Sequence, residues 1–243
     1  QKKQAAGKTL NYHRCDETTR AGLDKARLAE WEKWKQFDAV VRLNKDSVSE
    51  FVREGHKIMP TQWIETDKNQ HLKGTPEYVT ELKARLAACG QLDDCVGMRT
   101  DSPTCDVEGL NFILTVAASQ GWPIKSADVR NAYFQGEPQD RLVLLKPPKG
   151  GLPGEENSED TVMAARVGIY GTKDAGRLFW KRLRKTAQEQ GLHPSKYMPA
   201  LYGVEENGRL VAIFATHVDD LMWANAPGSD KIVQGVLDSF DIR

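Results

Sequence analysis

The chain has 243 residues, 40% of them hydrophobic and 28% charged, and its 34 Lys and Arg balance its 34 Asp and Glu. That is apolar material for one large core or two modest ones, and no apolar run approaches the roughly 20 residues that a membrane-spanning helix needs. Gln1-Lys2-Lys3-Gln4 has neither an initiator Met nor a signal-like apolar stretch, so the reading is a piece cut from a longer intracellular protein, in cytoplasm or nucleus and not secreted. Zero net charge does not exclude a nucleic-acid partner, because acidic site residues can offset basic tracks. Cys15, Cys89, Cys95 and Cys105 lack the paired spacing of a zinc centre, even with His71 added, and read as reduced thiols.

In chain order, Asp16 can cap a helix whose apolar face carries Leu23, Ala26, Leu28, Trp31, Trp34 and Phe37. Ser47-Val48-Ser49-Glu50 has the capping-box pattern, and a short helix should stop at Gly55. Polar residues from Asp67 to Pro76 read as a loop before a strand around Leu82 to Ala87. Asp106 opens a helix through Leu110, Ile113 and Ala117 that stops at Gly121, and a strand over Ile124 to Val129 follows. The Pro-, Gly- and Glu-rich stretch from Pro147 to Asp160 reads as a surface excursion. Another helix runs from Ala175 to Gln190, and a last one lies within Pro227 to Phe240, capped by Ser229 or Asp230. No internal repeat is present.

Thr216-His217-Val218-Asp219-Asp220-Leu221 lies between two β-prone apolar runs, and an Asp-Asp dipeptide there favours a tight turn with both carboxylates at its corner. Asp128 ends the earlier strand. If the two strands are neighbours, Asp128 and Asp219 converge into an acidic cluster that repels itself until divalent cations neutralise it, which is the electrostatic plan of two-metal phosphoryl transfer. A solvated acidic corner is the bland reading of the same residues.

Six stretches in order carry a resemblance. Lys83-Ala84-Arg85-Leu86 and Asp101-Ser102-Pro103-Thr104 are similar to the Lys-Ala-Arg-Leu and Ser-Pro segments of copia-type retrotransposon reverse transcriptases. Asp128 to Gly136 resembles their first catalytic segment, and Tyr170-Gly171-Thr172-Lys173-Asp174-Ala175-Gly176-Arg177 with Trp180 resembles their Tyr-Gly-Leu-Lys-Gln-Ala-Pro-Arg-x-Trp box. Leu201-Tyr202 and then Val218-Asp219-Asp220 complete the order, the last resembling Tyr-x-Asp-Asp with His217 in place of Tyr; Gly176 stands where Pro is usual. The similarity runs from about Trp31 to the C-terminus.

This resemblance implies an α+β reverse-transcriptase-like fold: a palm made of an antiparallel sheet with helices on one face, plus fingers, and no thumb after Arg243. Residues 1–104 would be an N-terminal helical segment and fingers, and 105–243 the palm, with a fingers excursion at about 137–175. The implied activity is RNA-directed DNA synthesis at two Mg²⁺ ions, Mn²⁺ being the alternative, with Asp128 and Asp219 as metal ligands and Asp220 completing the triad. Lys83 and Arg85, alternating with Ala84 and Leu86 on a strand, would contact the triphosphate. Tyr133 would exclude a ribose 2′-hydroxyl, its other reading being a buried aromatic beside Phe134. Lys173, Arg177 and Lys181 recur at helical spacing with Arg184 and Lys185 and could track template phosphates, where a solvated charged face is the simpler account. Implied partners are an RNA or DNA template with primer, deoxynucleoside triphosphates, and the integrase and ribonuclease H of a Pol polyprotein, with no membrane. The rivals are a catalytically inactive remnant that still binds nucleic acid, and another metal-dependent phosphotransferase, against which the chain has no Walker-type Gly-rich loop.

Overall fold

The computed structural model describes residues 9–93 and 97–243, so Cys95 and residues 1–8 lie outside the described residues. Chain order gives α1 (Glu17–Gln36), β1 (Val40–Arg42), α2 (Lys45–Arg53), β2 (Ile58–Asp67), β3 (Leu82–Ala88), α3 (Val107–Gln120), β4 (Ile124–Asp128), β5 (Leu144–Lys146) and β6 (Met163–Ala165). It continues through α4 (Ala175–Glu189), β7 (His193–Pro194), β8 (Leu201–Glu206), β9 (Arg209–His217), β10 (Asp220–Asn225) and α5 (Asp230–Leu237). The mixed α and β content agrees with the class expected from sequence. Two compact units emerge, Gln1–Val96 with Gln139–Thr172, and Gly97–Pro138 with Lys173–Arg243.

In the first unit five strands pair in the order β1-β6-β5-β2-β3, all antiparallel except β2 with β5. Asp16 caps α1 by accepting from the Thr19 amide at 2.7 Å, and Leu23, Trp31 and Trp34 of that helix are buried. The β2 face that holds Thr61, Glu65 and Asp67 is buried as well, and these polar groups find partners: Arg27 Nε donates to Glu65 at 2.7 Å, and Tyr78 Oη to Asp67 at 2.6 Å. The cap of α2 is Asn44, whose side chain accepts from the Ser47 amide at 2.8 Å, so the helix starts earlier than the Ser47 capping-box pattern suggests.

In the second unit the order β4-β10-β9-β8-β7 is antiparallel throughout. Alternation along its strands makes two apolar faces. Tyr202, Phe214, Leu221 and Trp223 pack with Phe179 and Leu183 of α4 and Val233 and Val236 of α5. Leu201, Ile213, Ala215 and Ala224 point the other way and pack with Ile113 and Ala117 of α3. The expected sheet with helices on one face is therefore corrected: helices lie against both faces, because both parities of β9 are apolar. Each fully buried Phe or Leu in these layers contributes about 1.5–3 kcal/mol relative to exposure. At the start of α4 the backbone comes so close to Gly136 that a Cβ there would sit 2.8 Å from the Phe179 nitrogen, which explains the glycine that closes the Asp128 segment.

Candidate functional site

β9 and β10 are joined by Val218 and Asp219 alone, with His217 opposite Asp220. The expected Asp219-Asp220 turn is thus displaced by one residue, and Asp220 already belongs to the strand. Val218 sits at φ 58, a left-handed conformation that a β-branched side chain resists at a cost of about 1–3 kcal/mol. Strain is stored at the residue beside the acidic pair.

β10 pairs with β4 so that Asp220 stands directly opposite Asp128. Directly opposed residues project from the same face of a sheet, with Cβ atoms about 4.5–5.5 Å apart. The Asp219 carbonyl accepts from the Val129 amide at 2.8 Å, which fixes the turn beside the end of β4. On the outer side of β4 the Arg243 amide donates to the Asp128 carbonyl at 2.8 Å. The Asp128–Val129 end of β4 is therefore held along both edges, Asp128 by Arg243 and Val129 by Asp219. Sequence reasoning ranked Asp219 first as its partner; the strand register makes Asp220 the facing residue and sets Asp219 one step further out.

Asp128 is half-buried, while Asp219 and Asp220 are exposed. The Asp128 and Asp220 side chains make no hydrogen bond or ion pair among the described residues. Two opposed carboxylates without a cation are an electrostatic cost that a divalent ion would remove. Among the described residues no three His, Cys, Asp or Glu side chains are grouped closely enough to hold a metal by themselves. That donor set fits Mg²⁺, which takes one or two carboxylates and completes its shell with water and substrate phosphate.

Asp128 and Asp220 line a cleft of about 700 Å³ together with Cys105, Ser126, His217 and Arg243. His217 Nδ1 lies 3.1 Å from the Cys105 carbonyl oxygen, which can only accept, so Nδ1 is the donor of this contact. Burial, helped by Asp106, pushes the Cys105 thiol pKa up, which leaves it unreactive.

The other residues singled out from sequence are spread over both units. Lys83 and Arg85 lie on β3 opposite Thr66 and Ile64, on the face away from buried Ala84 and Leu86, and both are half-buried. Burial first, and then the charges of Arg85, Lys68 and Lys33, lower the Lys83 pKa. Arg85 lies over the ring of Tyr170, 4.1 Å from its centroid, a contact that no sequence pattern announced. Tyr133 is half-buried against the core cluster of the second unit, in a 3-10 turn over Ala132–Gln135. Lys173 and Lys181 are exposed, at and just before α4. Arg177 is half-buried: its Nη1 donates to the Asp101 carbonyl at 3.0 Å and pairs with the Asp101 carboxylate at 3.1 Å. A helical period of basic residues cannot distinguish these two situations.

The family model for reverse transcriptase (RNA-dependent DNA polymerase) matches residues 48–240, most of the chain. The chain belongs to the reverse transcriptase family. Its relatives include the retrovirus-related Pol polyprotein from transposon RE2 of Arabidopsis thaliana, 31% identical over 189 residues, and that from transposon RE1 of the same plant, 29% identical over 189 residues. Each alignment covers 76% of this chain and 12% of the relative, so the chain spans about an eighth of the length of the polyproteins it matches. The family expected from the ordered motifs is the family found. Reverse transcriptases generally use divalent metal ions. No helix among the described residues is long and apolar enough to cross a membrane.

Proposed function

We propose that this chain is the RNA-directed DNA polymerase part of a retrotransposon Pol polyprotein, with the second unit as palm and the first as fingers. The observation that carries the reading is the register of β4 and β10, which opposes Asp128 to Asp220 with Asp219 in the connecting turn. Two Mg²⁺ ions held there, with Mn²⁺ able to substitute, would activate a primer 3′-hydroxyl and stabilise the departing pyrophosphate. Asp128 and Asp219 are the proposed ligands, and Asp220 shares the neutralising charge from the facing position. His217, bonded to the Cys105 carbonyl, stiffens the strand beside them. Lys83 and Arg85 are the cationic contacts of the deoxynucleoside triphosphate, and Tyr133 is the ring that disfavours a ribose. Lys173 and Lys181, with Arg177 as a weaker contributor, follow the phosphates of an RNA or DNA template paired to a primer. Integrase and ribonuclease H are the partners proposed for the same polyprotein.

Primer extension at low salt tests the reading, comparing the wild-type chain with Asp128→Asn and Asp219→Asn. Extension by wild type in Mg²⁺ or Mn²⁺, lost by roughly a thousandfold in either variant while melting temperatures hold, is the expected result. Primer-template binding without extension in all three would favour the inactive remnant. Unchanged extension in Asp219→Asn would remove that residue from the metal site.

A further inference from the structure

Arg85 makes no hydrogen bond and no ion pair among the described residues, although it is half-buried. Other partly buried arginines of this chain are paired: Arg27 with Glu65, Arg141 with Asp93, and Arg177 with Asp101. What holds Arg85 instead is an aromatic face, the Tyr170 ring at 4.1 Å. A guanidinium stacked on a ring keeps all its N–H donors in the plane, pointing outward to whatever acceptor arrives.

Tyr170 itself is firmly placed. Ile169 to Thr172 form a four-residue turn closed by the Thr172 amide on the Ile169 carbonyl at 3.0 Å, and the Thr172 hydroxyl donates to that same oxygen at 2.9 Å. Gly171 has φ 95 at the third position, as a type II turn requires, and a Cβ there would collide with the Ala88 carbonyl. The turn is tied to the same strand as Arg85, since the Ala88 amide donates to the Tyr170 carbonyl at 2.7 Å. Two sequence boxes that lie far apart in the chain thus meet as one rigid corner. Lys83 lies two residues before Arg85 on the same face of the strand, so the corner presents positive charge without an internal carboxylate bonded to Arg85.

We propose that Tyr170 is a positioning residue that holds the Arg85 guanidinium flat and open for the phosphate oxygens of an incoming nucleoside triphosphate. The inference rests on the reading of Arg85 as a triphosphate contact and adds the platform that orients it. Without the ring, Arg85 would sample many rotamers, and each bidentate phosphate contact would first have to freeze them.

The test measures the dissociation constant of a matching deoxynucleoside triphosphate for the chain bound to a dideoxy-terminated primer-template, which reports binding without chemistry. Tyr170→Phe keeps the ring and is expected to bind within about twofold of wild type; Tyr170→Leu should weaken triphosphate binding roughly three- to tenfold and leave primer-template affinity unchanged. In an Arg85→Ala background Tyr170→Leu should add nothing. If Tyr170→Leu does not fold, Tyr170→His substitutes for it: its triphosphate affinity should drop, relative to Tyr170→Phe at each pH, as the imidazole gains charge near pH 6.5 and repels Arg85. Equal binding by Tyr170→Leu and wild type, when Arg85→Ala binds weakly, overturns the platform and leaves the reading of Arg85 intact. An Arg85→Ala chain that binds triphosphate as wild type does overturns both.

Discussion

Asp128 and Asp220 face each other across two strands with no cation bonded to either side chain, and at neutral pH that pair repels itself. Asp220→Asn is therefore expected to raise the unfolding free energy by about 0.2–1 kcal/mol in chelator, and by less in Mg²⁺, as read from urea denaturation. A destabilised Asp220→Asn in chelator would show that the carboxylates are not in conflict. Lys83 provides a second check. Its pKa in the folded chain is lowered by burial and then by neighbouring positive charges, so the folded state sheds this proton before the unfolded chain does. Stability then rises with pH from the folded value up to the ordinary lysine value of about 10.4. A bound triphosphate favours the charged form, so triphosphate affinity should fall as pH climbs through the folded Lys83 value, and Lys83→Arg should flatten that fall. Tyr133 is checked by sugar choice: Tyr133→Ala is expected to raise ribonucleotide incorporation relative to deoxyribonucleotide in single-nucleotide extension, and unchanged discrimination would leave the residue to the core it packs against.

The elements differ in how plainly the chain announces them. α1 and α3 begin at Asp16 and Asp106, whose side chains accept from Thr19 and Gly109 amides, because capping is a local reaction between residues three apart. β9 and β10 are equally legible as apolar runs. β2 is not, since its buried face carries Thr61, Glu65 and Asp67 and its exposed face Pro60, Gln62 and Ile64, which inverts the usual alternation. Three-residue strands such as β1, β5 and β6 are too short for any period to show. At the site, the acidic hairpin could be read from its composition, but its register could not, because nothing local favours Val218 at positive φ. Relieving that conformation with Val218→Gly should stabilise the chain by about 1 kcal/mol in thermal melts, provided the hairpin keeps its register. Gly136→Ala should cost about 1–3 kcal/mol, because its methyl meets the backbone of α4 and cannot move it cheaply. A neutral Gly136→Ala would mean that the start of α4 yields.

Across the whole molecule, affinity for a primer-template should be governed by salt, as it is wherever Lys and Arg displace counterions from phosphate. Lys173→Ala and Lys181→Ala are each expected to reduce the slope of log affinity against log salt by about one, whereas Arg177→Ala, already committed to Asp101, should mainly lower the melting temperature. Titrations at several salt concentrations separate the two effects; a slope unaffected by both lysine changes would take α4 off the nucleic-acid track. The path of the chain has its own consequence. Each unit is assembled from two stretches that alternate along the sequence, so during synthesis β4 leaves the ribosome and waits, its edge unpaired, while residues 139–172 are made for the other unit. Only when β10 emerges can Asp220 come to rest opposite Asp128. Closing so distant a pairing is slow, and it exposes a sticky strand edge to chaperones and aggregation in the interval. Stalling between these two aspartates would consequently leave Asp128 without the residue that faces it.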